Sequence, residues 1–126
     1  MKVISKSFFR FISMSNPARP KFFVYAPDKT EEGTFAKRKA IRNEHLVRIR
    51  TVISSGMIRV GGVLLTPESA SKPPEEQKMI GSTLIFEADS LEEVRKIIEE
   101  DVYYKEGVWD PEKLVILPML AATPIP

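Results

Sequence analysis

Three side chains that could carry acid–base or anion-binding chemistry lie on what should be the apolar face of a helix. At about 100° of rotation per residue, the segment 35–53 has the pattern of an amphipathic helix. Six of its apolar residues fall within an arc of about 140°, and Arg38, Arg42 and His45 fall within the same arc; the six are Phe35, Ile41, Leu46, Ile49, Val52 and Ile53. Burial of such groups without partners is costly. We therefore expect them to line a polar cavity or to meet partners.

His45 is the only histidine of the chain, and an imidazole ordinarily gains and loses its proton near neutral pH. It needs a partner that fixes its tautomer, and Asp101 is the leading candidate. In the register of the second predicted helix, Asp101 lies on the side of Val94 and Ile98, facing the first helix. The pair would suit proton abstraction or transfer. The alternative is a histidine with a purely structural role in the core.

Arg42 and Ser82 are candidate ligand-binding residues. Arg42 carries a fixed charge and forked donors, which would suit a carboxylate, a phenolate or an enolate-like oxygen. It could equally form an ion pair with Asp101 or with an acidic residue of the second helix. Ser82 could donate a hydrogen bond from a strand into the pocket, or be structural. Arg38, near the helix start, is expected to be solvated.

An aromatic cluster follows Asp101, formed by Tyr103, Tyr104 and Trp109. These rings could form the wall of a pocket for a planar ligand, with Tyr103 in contact with it. They could instead pack in the core or at a dimer interface.

Composition narrows the classes of protein to consider. The chain has 126 residues, which suggests one domain, and a net charge of +2 without a dense basic stripe, so we expect no nucleic-acid partner. It has no cysteine and one histidine, which excludes cysteine chemistry and a multi-histidine metal site within one chain. We expect no cofactor. No apolar run reaches the roughly 18 residues needed to span a bilayer, so no membrane partner is expected.

Residues 1–19 differ in composition from the rest. They are basic, contain serine and have no acidic residue before Asp28. Such a composition is typical of a mitochondrial transit peptide, so we expect a mitochondrial protein, or otherwise a cytoplasmic one. The alternatives are a disordered extension or a translation start at Met14. A domain over residues 20–120 and a tail over 121–126 complete the predicted organisation.

The order of predicted elements indicates the fold. Runs rich in β-branched and aromatic residues predict strands, and apolar stripes at helical spacing predict helices. The strands are expected at 21–26, 57–65, 78–88 and 113–117, and the helices at 35–53 and 91–100. A split βαβ arrangement of this kind, βαββαβ, is ferredoxin-like α+β: a four-stranded antiparallel sheet with both helices on one face. The open face of the sheet then needs cover, and we expect a homodimer.

Several segments, taken in order, resemble the YCII-related family over about residues 20–120. The matching segments are 21–28, Arg42 to Leu46, 56–62, 81–84, 90–93, and Asp101-Val102-Tyr103 with Gly107-Val108. The resemblance implies a dimeric α+β barrel related to muconolactone isomerase-like proteins. It also implies a His–Asp site that maps onto His45 and Asp101, with Arg42 and Ser82 lining the same cleft. The family's usual proline is absent at Val102.

The resemblance does not imply a substrate, although one branch of the family is a dehydrochlorinase of a chlorinated hydroxyquinol. Our first hypothesis is a small enzyme in which Asp101 orients His45 for proton transfer on a small anionic or aromatic molecule. A second hypothesis is a non-catalytic module that binds a small ligand. A third is a structural dimer whose pocket is vestigial.

Overall fold

Four antiparallel strands form one sheet in the computed structural model, which describes residues 19–126. They are β1 (Lys21–Pro27), β2 (Ile58–Leu65), β3 (Met79–Glu87) and β4 (Val115–Met119). Their spatial order is β2-β3-β1-β4 and each neighbouring pair is antiparallel. This confirms the predicted ferredoxin-like sheet.

The helices are α1 (Thr34–Ala40), α2 (Arg42–Ser54), α3 (Leu91–Glu99) and α4 (Val102–Lys105). The prediction of one continuous helix over 35–53 is wrong, because the chain bends at Ile41, where φ is −107° and ψ is 10°. Thr34 is the first residue of α1 and follows Gly33, whose backbone is left-handed. The bend separates α1, which carries Arg38, from α2, which carries His45.

The two later helices begin at side-chain caps. The Ser90 Oγ accepts from the Glu93 backbone N–H, and the Glu93 carboxylate accepts from the backbone N–H of Asp89, much as a capping box does. Asp101 caps α4 by accepting from the Tyr103 N–H. Capping satisfies amides that a helix start leaves free, and here it also fixes the position of the Asp101 carboxylate.

The core lies between one face of the sheet and the helices. In β1, Phe22, Val24 and Ala26 are buried, whereas Phe23 and Tyr25 are 38% and 40% exposed. This alternation follows from the period of two in a strand. The helices add Ile49, Val94 and Ile98 to the buried cluster. The helices of residues 19–126 that pack on the sheet therefore do so on one face, and none of them covers the other face.

Strand β4 contains Pro118 and continues through it to Met119. A proline is tolerated there because β4 is an edge strand. The loop between β2 and β3 contains two 3₁₀ turns, Pro67–Ser69 and Pro74–Glu76. In this loop the buried Ser69 Oγ accepts from the backbone N–H of Lys78 and from the Thr66 hydroxyl.

The predicted targeting segment lies almost wholly outside the described residues, which begin at Arg19. Pro20 already belongs to the fold, since its carbonyl accepts from the Ala88 N–H. Over residues 19–126 no helix combines the length and the apolar character needed to cross a bilayer.

Candidate functional site

His45 and Asp101 form a direct contact between α2 and the start of α4. The His45 Nδ1 lies 2.8 Å from Oδ1 and 2.9 Å from Oδ2 of Asp101. Asp101 is 1% exposed, and its Oδ1 also accepts from the Tyr103 N–H. A carboxylate only accepts hydrogen bonds, so the Nδ1 of His45 carries the hydrogen and Nε2 is left to act on a ligand. The structure thus brings the two predicted residues together.

Aromatic rings hold the imidazole on two sides. The Tyr103 ring stacks on His45 with centroids 4.0 Å apart and planes 14° apart. Trp109 meets His45 edge-on, with centroids 6.0 Å apart. Burial raises the pKa of Tyr103, and the charges of Arg38 and Arg42 act in the opposite direction. The Tyr103 hydroxyl is buried and has no hydrogen-bond partner among the described residues.

Arg38 is buried, and its expected solvated position is wrong. It is 1% exposed and forms a forked pair with Asp28, with Nε donating to Oδ2 at 2.8 Å and Nη2 to Oδ1 at 3.1 Å. Its guanidinium also lies over the Tyr103 ring, 4.6 Å from the centroid. The apolar arc already indicated that Arg38 points inward. Its partner at the end of β1 was missed because Asp28 reads as an ordinary turn residue.

Ser82 accepts hydrogen bonds from both this buried pair and the aromatic cluster. Its Oγ accepts from Arg38 Nη2 at 2.8 Å and from Trp109 Nε1 at 3.2 Å. The preceding Gly81 permits this geometry, because a Cβ there would lie 3.0 Å from the Ala26 carbonyl oxygen. Ser82 therefore stands in a fixed position on β3, as the strand passes the site.

The side chain of Arg42 forms no hydrogen bond or ion pair with other residues of 19–126, so the expected alternative of an ion pair with Asp101 is not observed. Arg48 takes that place, with Nη1 3.8 Å from Asp101 Oδ2 and Nη2 donating to Glu100 Oε1 at 3.3 Å. Arg48 can do so because α2 packs against α4.

A cavity of about 280 Å³ opens between α2, β2 and β3. Its lining is mostly apolar, with His45, Arg59, Ser82 and Trp109 among the exceptions; the other residues are Leu46, Ile49, Ile53, Ile58, Gly61, Gly62, Val63 and Leu84. Apolar walls with a few convergent polar groups are typical of small-ligand sites. Asp101, Arg42 and Tyr103 are not among the lining residues; Asp101 and Tyr103 lie behind His45.

A larger cleft of about 600 Å³ lies beside residues 28–35 and contains neither His45 nor Ser82. We place the site in the smaller cavity because the only imidazole and the buried polar network converge there. Within residues 19–126 no three histidine or acidic side chains are grouped closely enough to hold a metal ion.

The fold and the cavity define a small α+β domain with an imidazole–carboxylate pair at a ligand-sized cavity. A model of the YCII-related domain matches residues 21–118. The chain therefore belongs to the YCII-related family.

Two fungal relatives show the range of proteins that contain this domain. Fusaric acid biosynthesis protein 2 of Gibberella fujikuroi is 31% identical over 98 residues, covering 78% of this chain and 90% of that protein. The aspartate kinase FUB3 of Fusarium oxysporum is 33% identical over 104 residues, or 81% of this chain. The match spans only 18% of that relative.

A solved structure has the same fold. The 5-chloro-2-hydroxyhydroquinone dehydrochlorinase TftG of Burkholderia phenoliruptrix, in complex with 2,5-dihydroxybenzoquinone, superimposes with a TM-score of 0.63. It is 28% identical, and the match covers 76% of this chain and 89% of that chain.

Proposed function

We propose that this protein is a small enzyme in which His45 transfers a proton on a small anionic or aromatic molecule, in a lyase-, isomerase- or dehydrochlorinase-like reaction. The observation that carries the proposal is the contact of His45 Nδ1 with the buried Asp101 carboxylate at the wall of a cavity. This contact leaves Nε2 as the base and stabilises the imidazolium that forms when it takes a proton.

In an elimination, Nε2 would remove a proton from the substrate. The electron pair of the broken bond forms the new π bond, and the neighbouring substituent leaves with its bonding pair. Ser82 would hydrogen-bond the oxygen that gains negative charge during this step, and the positive charge of Arg42 would attract an anionic substrate. Tyr103 contributes as the ring on which His45 stacks.

The cavity and the structural neighbour both support the substrate class that we propose. The cavity is mostly apolar, with its polar groups at His45, Arg59 and Ser82, which suits a planar ring bearing oxygen substituents. TftG, of the same fold, is a dehydrochlorinase solved with a dihydroxybenzoquinone. We therefore take hydroxylated quinones and hydroquinones as the first compounds to test.

A His45→Gln variant tests the proposal, with Glu44→Gln as its matched control on the exposed side of the same helix. Turnover of a chlorinated hydroxyhydroquinone, followed by chloride release, should fall a hundredfold or more in His45→Gln, in line with the usual contribution of general acid–base catalysis. Glu44→Gln should keep it. Circular dichroism and thermal melting establish that both variants are folded. Full activity in folded His45→Gln would refute the mechanism.

Asp101→Asn tests the role of the carboxylate at His45 without removing the cap of α4, because asparagine also caps helices well. We expect α4 to be retained and turnover to fall, since the amide no longer stabilises the imidazolium. If 2,5-dihydroxybenzoquinone binds but a broad panel of quinones, phenols and lactones is never turned over, the protein is a ligand-binding module instead.

We further propose that the protein acts as a homodimer through the open face of the sheet. Phe23, Tyr25, Val60 and Leu117 are apolar or aromatic side chains between 37% and 56% exposed. Phe23 and Tyr25 alternate with buried residues of β1, and Leu117 of β4 pairs with Phe23 of β1. These side chains therefore share one surface. Large exposed apolar patches mark interaction sites.

A further inference from the structure

The hydrogen-bonding capacity of Ser82 is almost fully used by the protein. A serine hydroxyl has two accepting lone pairs and one hydrogen to donate. Arg38 Nη2 and Trp109 Nε1 both point at the Ser82 Oγ, at 2.8 and 3.2 Å. A guanidinium and an indole N–H only donate, so both lone pairs of Ser82 are occupied. Among the described residues, no group accepts the hydroxyl hydrogen.

The two donors are held in place, so Ser82 cannot exchange them for others. Arg38 is fixed by two hydrogen bonds to Asp28, whose side chain is 5% exposed. Trp109 is 1% exposed, and its backbone forms an isolated bridge with Asp28. A cation that donates to the Oγ also polarises the hydroxyl and strengthens it as a donor.

Ser82 is one of the residues that line the cavity with His45. We propose that Asp28, Arg38 and Trp109 are positioning residues. Because they occupy both lone pairs of Ser82, its hydroxyl can donate a hydrogen bond to a ligand in this cavity but cannot accept one. The cavity then selects a ligand that presents an accepting oxygen at this end, such as a carbonyl or a phenolic oxygen. It discriminates against a ligand of the same shape that has no accepting atom at this end. The inference rests on the proposed function only in taking this cavity as the ligand site.

Neutron diffraction from a crystal of the deuterated protein tests the first step without any ligand. The deuterium on Ser82 Oγ should point into the cavity, with the deuterons of Arg38 Nη2 and Trp109 Nε1 pointing at the Oγ. A hydroxyl deuterium directed at a protein acceptor would overturn the inference. So would an Arg38 or Trp109 that is turned away from the Oγ.

Binding of 4-fluoroacetophenone and 4-fluoro-α-methylstyrene, followed by ¹⁹F NMR, tests the selectivity. These probes have nearly the same shape and neither donates a hydrogen bond, but only the ketone has an accepting oxygen. The preference, defined as the ratio of ketone to alkene affinity, should be about three- to tenfold higher in the wild-type protein than in Ser82→Ala, which is the value of one hydrogen bond.

Trp109→Phe supplies a readout that a merely structural role would not change. Loss of the indole N–H frees one lone pair of Ser82, so the hydroxyl hydrogen is no longer confined to the cavity. The ketone preference should fall toward the Ser82→Ala value, whereas any loss of packing would weaken both probes alike. Phe35→Leu, an aromatic substitution outside the cavity, should keep the wild-type preference.

An unchanged preference in Trp109→Phe would refute the positioning role. If neither probe binds, the result counts against the proposed function, and the hydroxyl orientation seen by neutrons then decides the inference by itself.

Discussion

Tyr103 has a hydroxyl that is buried and forms no hydrogen bond with other residues of 19–126, although its ring is central to the site. A buried polar group without a partner costs free energy, typically about 1–3 kcal/mol. The useful part of this residue is therefore the ring, on which His45 stacks and over which Arg38 lies.

We expect Tyr103→Phe to raise the free energy of unfolding by about 1 kcal/mol, because phenylalanine keeps the ring and removes the unsatisfied hydroxyl. Urea denaturation at pH 7 measures this. Tyr25→Phe, on an exposed ring, should change stability by less than about 0.5 kcal/mol. A clear loss of stability in Tyr103→Phe would contradict the expectation, because it would show that the hydroxyl has a stabilising partner.

The pH dependence of the free energy of unfolding should show the ionisation of Tyr103. Burial raises the pKa of Tyr103 above its ordinary value of 10.0, so the unfolded chain ionises first as pH rises. The stability from this group is fully present below pH 10 and is lost as pH rises through the folded pKa. The advantage of Tyr103→Phe over wild type should therefore grow above pH 10 and stay constant below it. An advantage independent of alkaline pH would contradict a raised pKa.

Some residues of the site could be identified from patterns in the sequence, and others could not. His45 could be identified as a candidate because it is a single ionisable group on an apolar arc, and Asp101 because it follows the stripe of the second helix. The pair of Asp28 and Arg38 could not, because the two are joined only once β1 and α1 are placed in space. A charge aimed inward is visible in the sequence, whereas its partner is not.

At the scale of elements, the four strands were predicted to within two residues at each end. Their runs of β-branched and aromatic residues end at turn residues, which makes them distinct from helices. The bend at Ile41 was missed, because no glycine or proline in 35–53 indicates a break. It arises from the way α1 and α2 pack, which a helical period does not describe.

Val102 occupies the position where the family commonly has proline, and the structure accommodates that proline. Val102 is the first residue of α4, where a proline is favoured. Asp101 has φ −73° and ψ 143°, the extended conformation that a following proline requires. The absence of the proline therefore leaves the cap and the His45 contact in place.

Val102→Pro should accordingly be neutral or stabilise the protein, by up to about 1 kcal/mol, because proline reduces the freedom of the unfolded chain. Thermal unfolding measures the change. Tyr104→Pro, two positions further into the same helix, is the control and should destabilise strongly, because its backbone N–H is bonded to the Asp101 carbonyl. An equal loss of stability in both variants would show that the turn after Asp101 does not accommodate proline at position 102.

Gly61 and Gly62 are neighbours on β2 with different surroundings. A Cβ on Gly61 would lie 3.6 Å from Ile58 and 3.8 Å from Leu84, both of which line the cavity. A Cβ on Gly62 would meet nothing within 4 Å, and it points to the other face of the sheet because Gly62 pairs with Thr83. The glycine at 61 therefore keeps space open for a ligand.

Gly61→Ala should bind 2,5-dihydroxybenzoquinone roughly three- to tenfold more weakly, a change of about 1 kcal/mol. It should keep or gain stability, since alanine loses less entropy on folding. Gly62 lines the cavity with backbone atoms alone, and a Cβ there would lie on the other face of the sheet, so Gly62→Ala is the matched control and should bind as the wild type does. Calorimetric titration measures both. Equal affinities in the two variants would show that the ligand does not occupy the space beside Gly61.

At the scale of the whole molecule, the two faces of the sheet have different roles. One face builds the core and the cavity, where His45 meets Asp101. The other exposes Phe23, Tyr25 and Leu117, which a lone domain would leave in water. The predicted βαββαβ order placed both helices on one face of the sheet, and from this we expected an open second face and a homodimer that covers it.

Residues 1–19 remain a proposed mitochondrial targeting segment. Fused to a fluorescent protein, this segment should direct it to mitochondria, and replacement of Lys2, Lys6 and Arg10 by glutamine should abolish the targeting, because such signals depend on positive charge. A fusion that starts at Met14 lacks these three charges and serves as the control. Diffuse fluorescence from the intact segment would contradict the proposal.

The proposed dimer gives the last prediction. Light scattering should find twice the chain mass, and Leu117→Glu should shift the protein toward the monomer, because a buried and unpaired carboxylate at an interface is costly. Val47→Glu places the same charge on an apolar residue of α2 that is 69% exposed, outside the open sheet face, and should leave the dimer intact. Because the cavity lies on the opposite face, monomeric Leu117→Glu should still bind 2,5-dihydroxybenzoquinone if one chain completes the site. A wild-type protein that is monomeric at high concentration would refute the dimer without affecting the pair of His45 and Asp101.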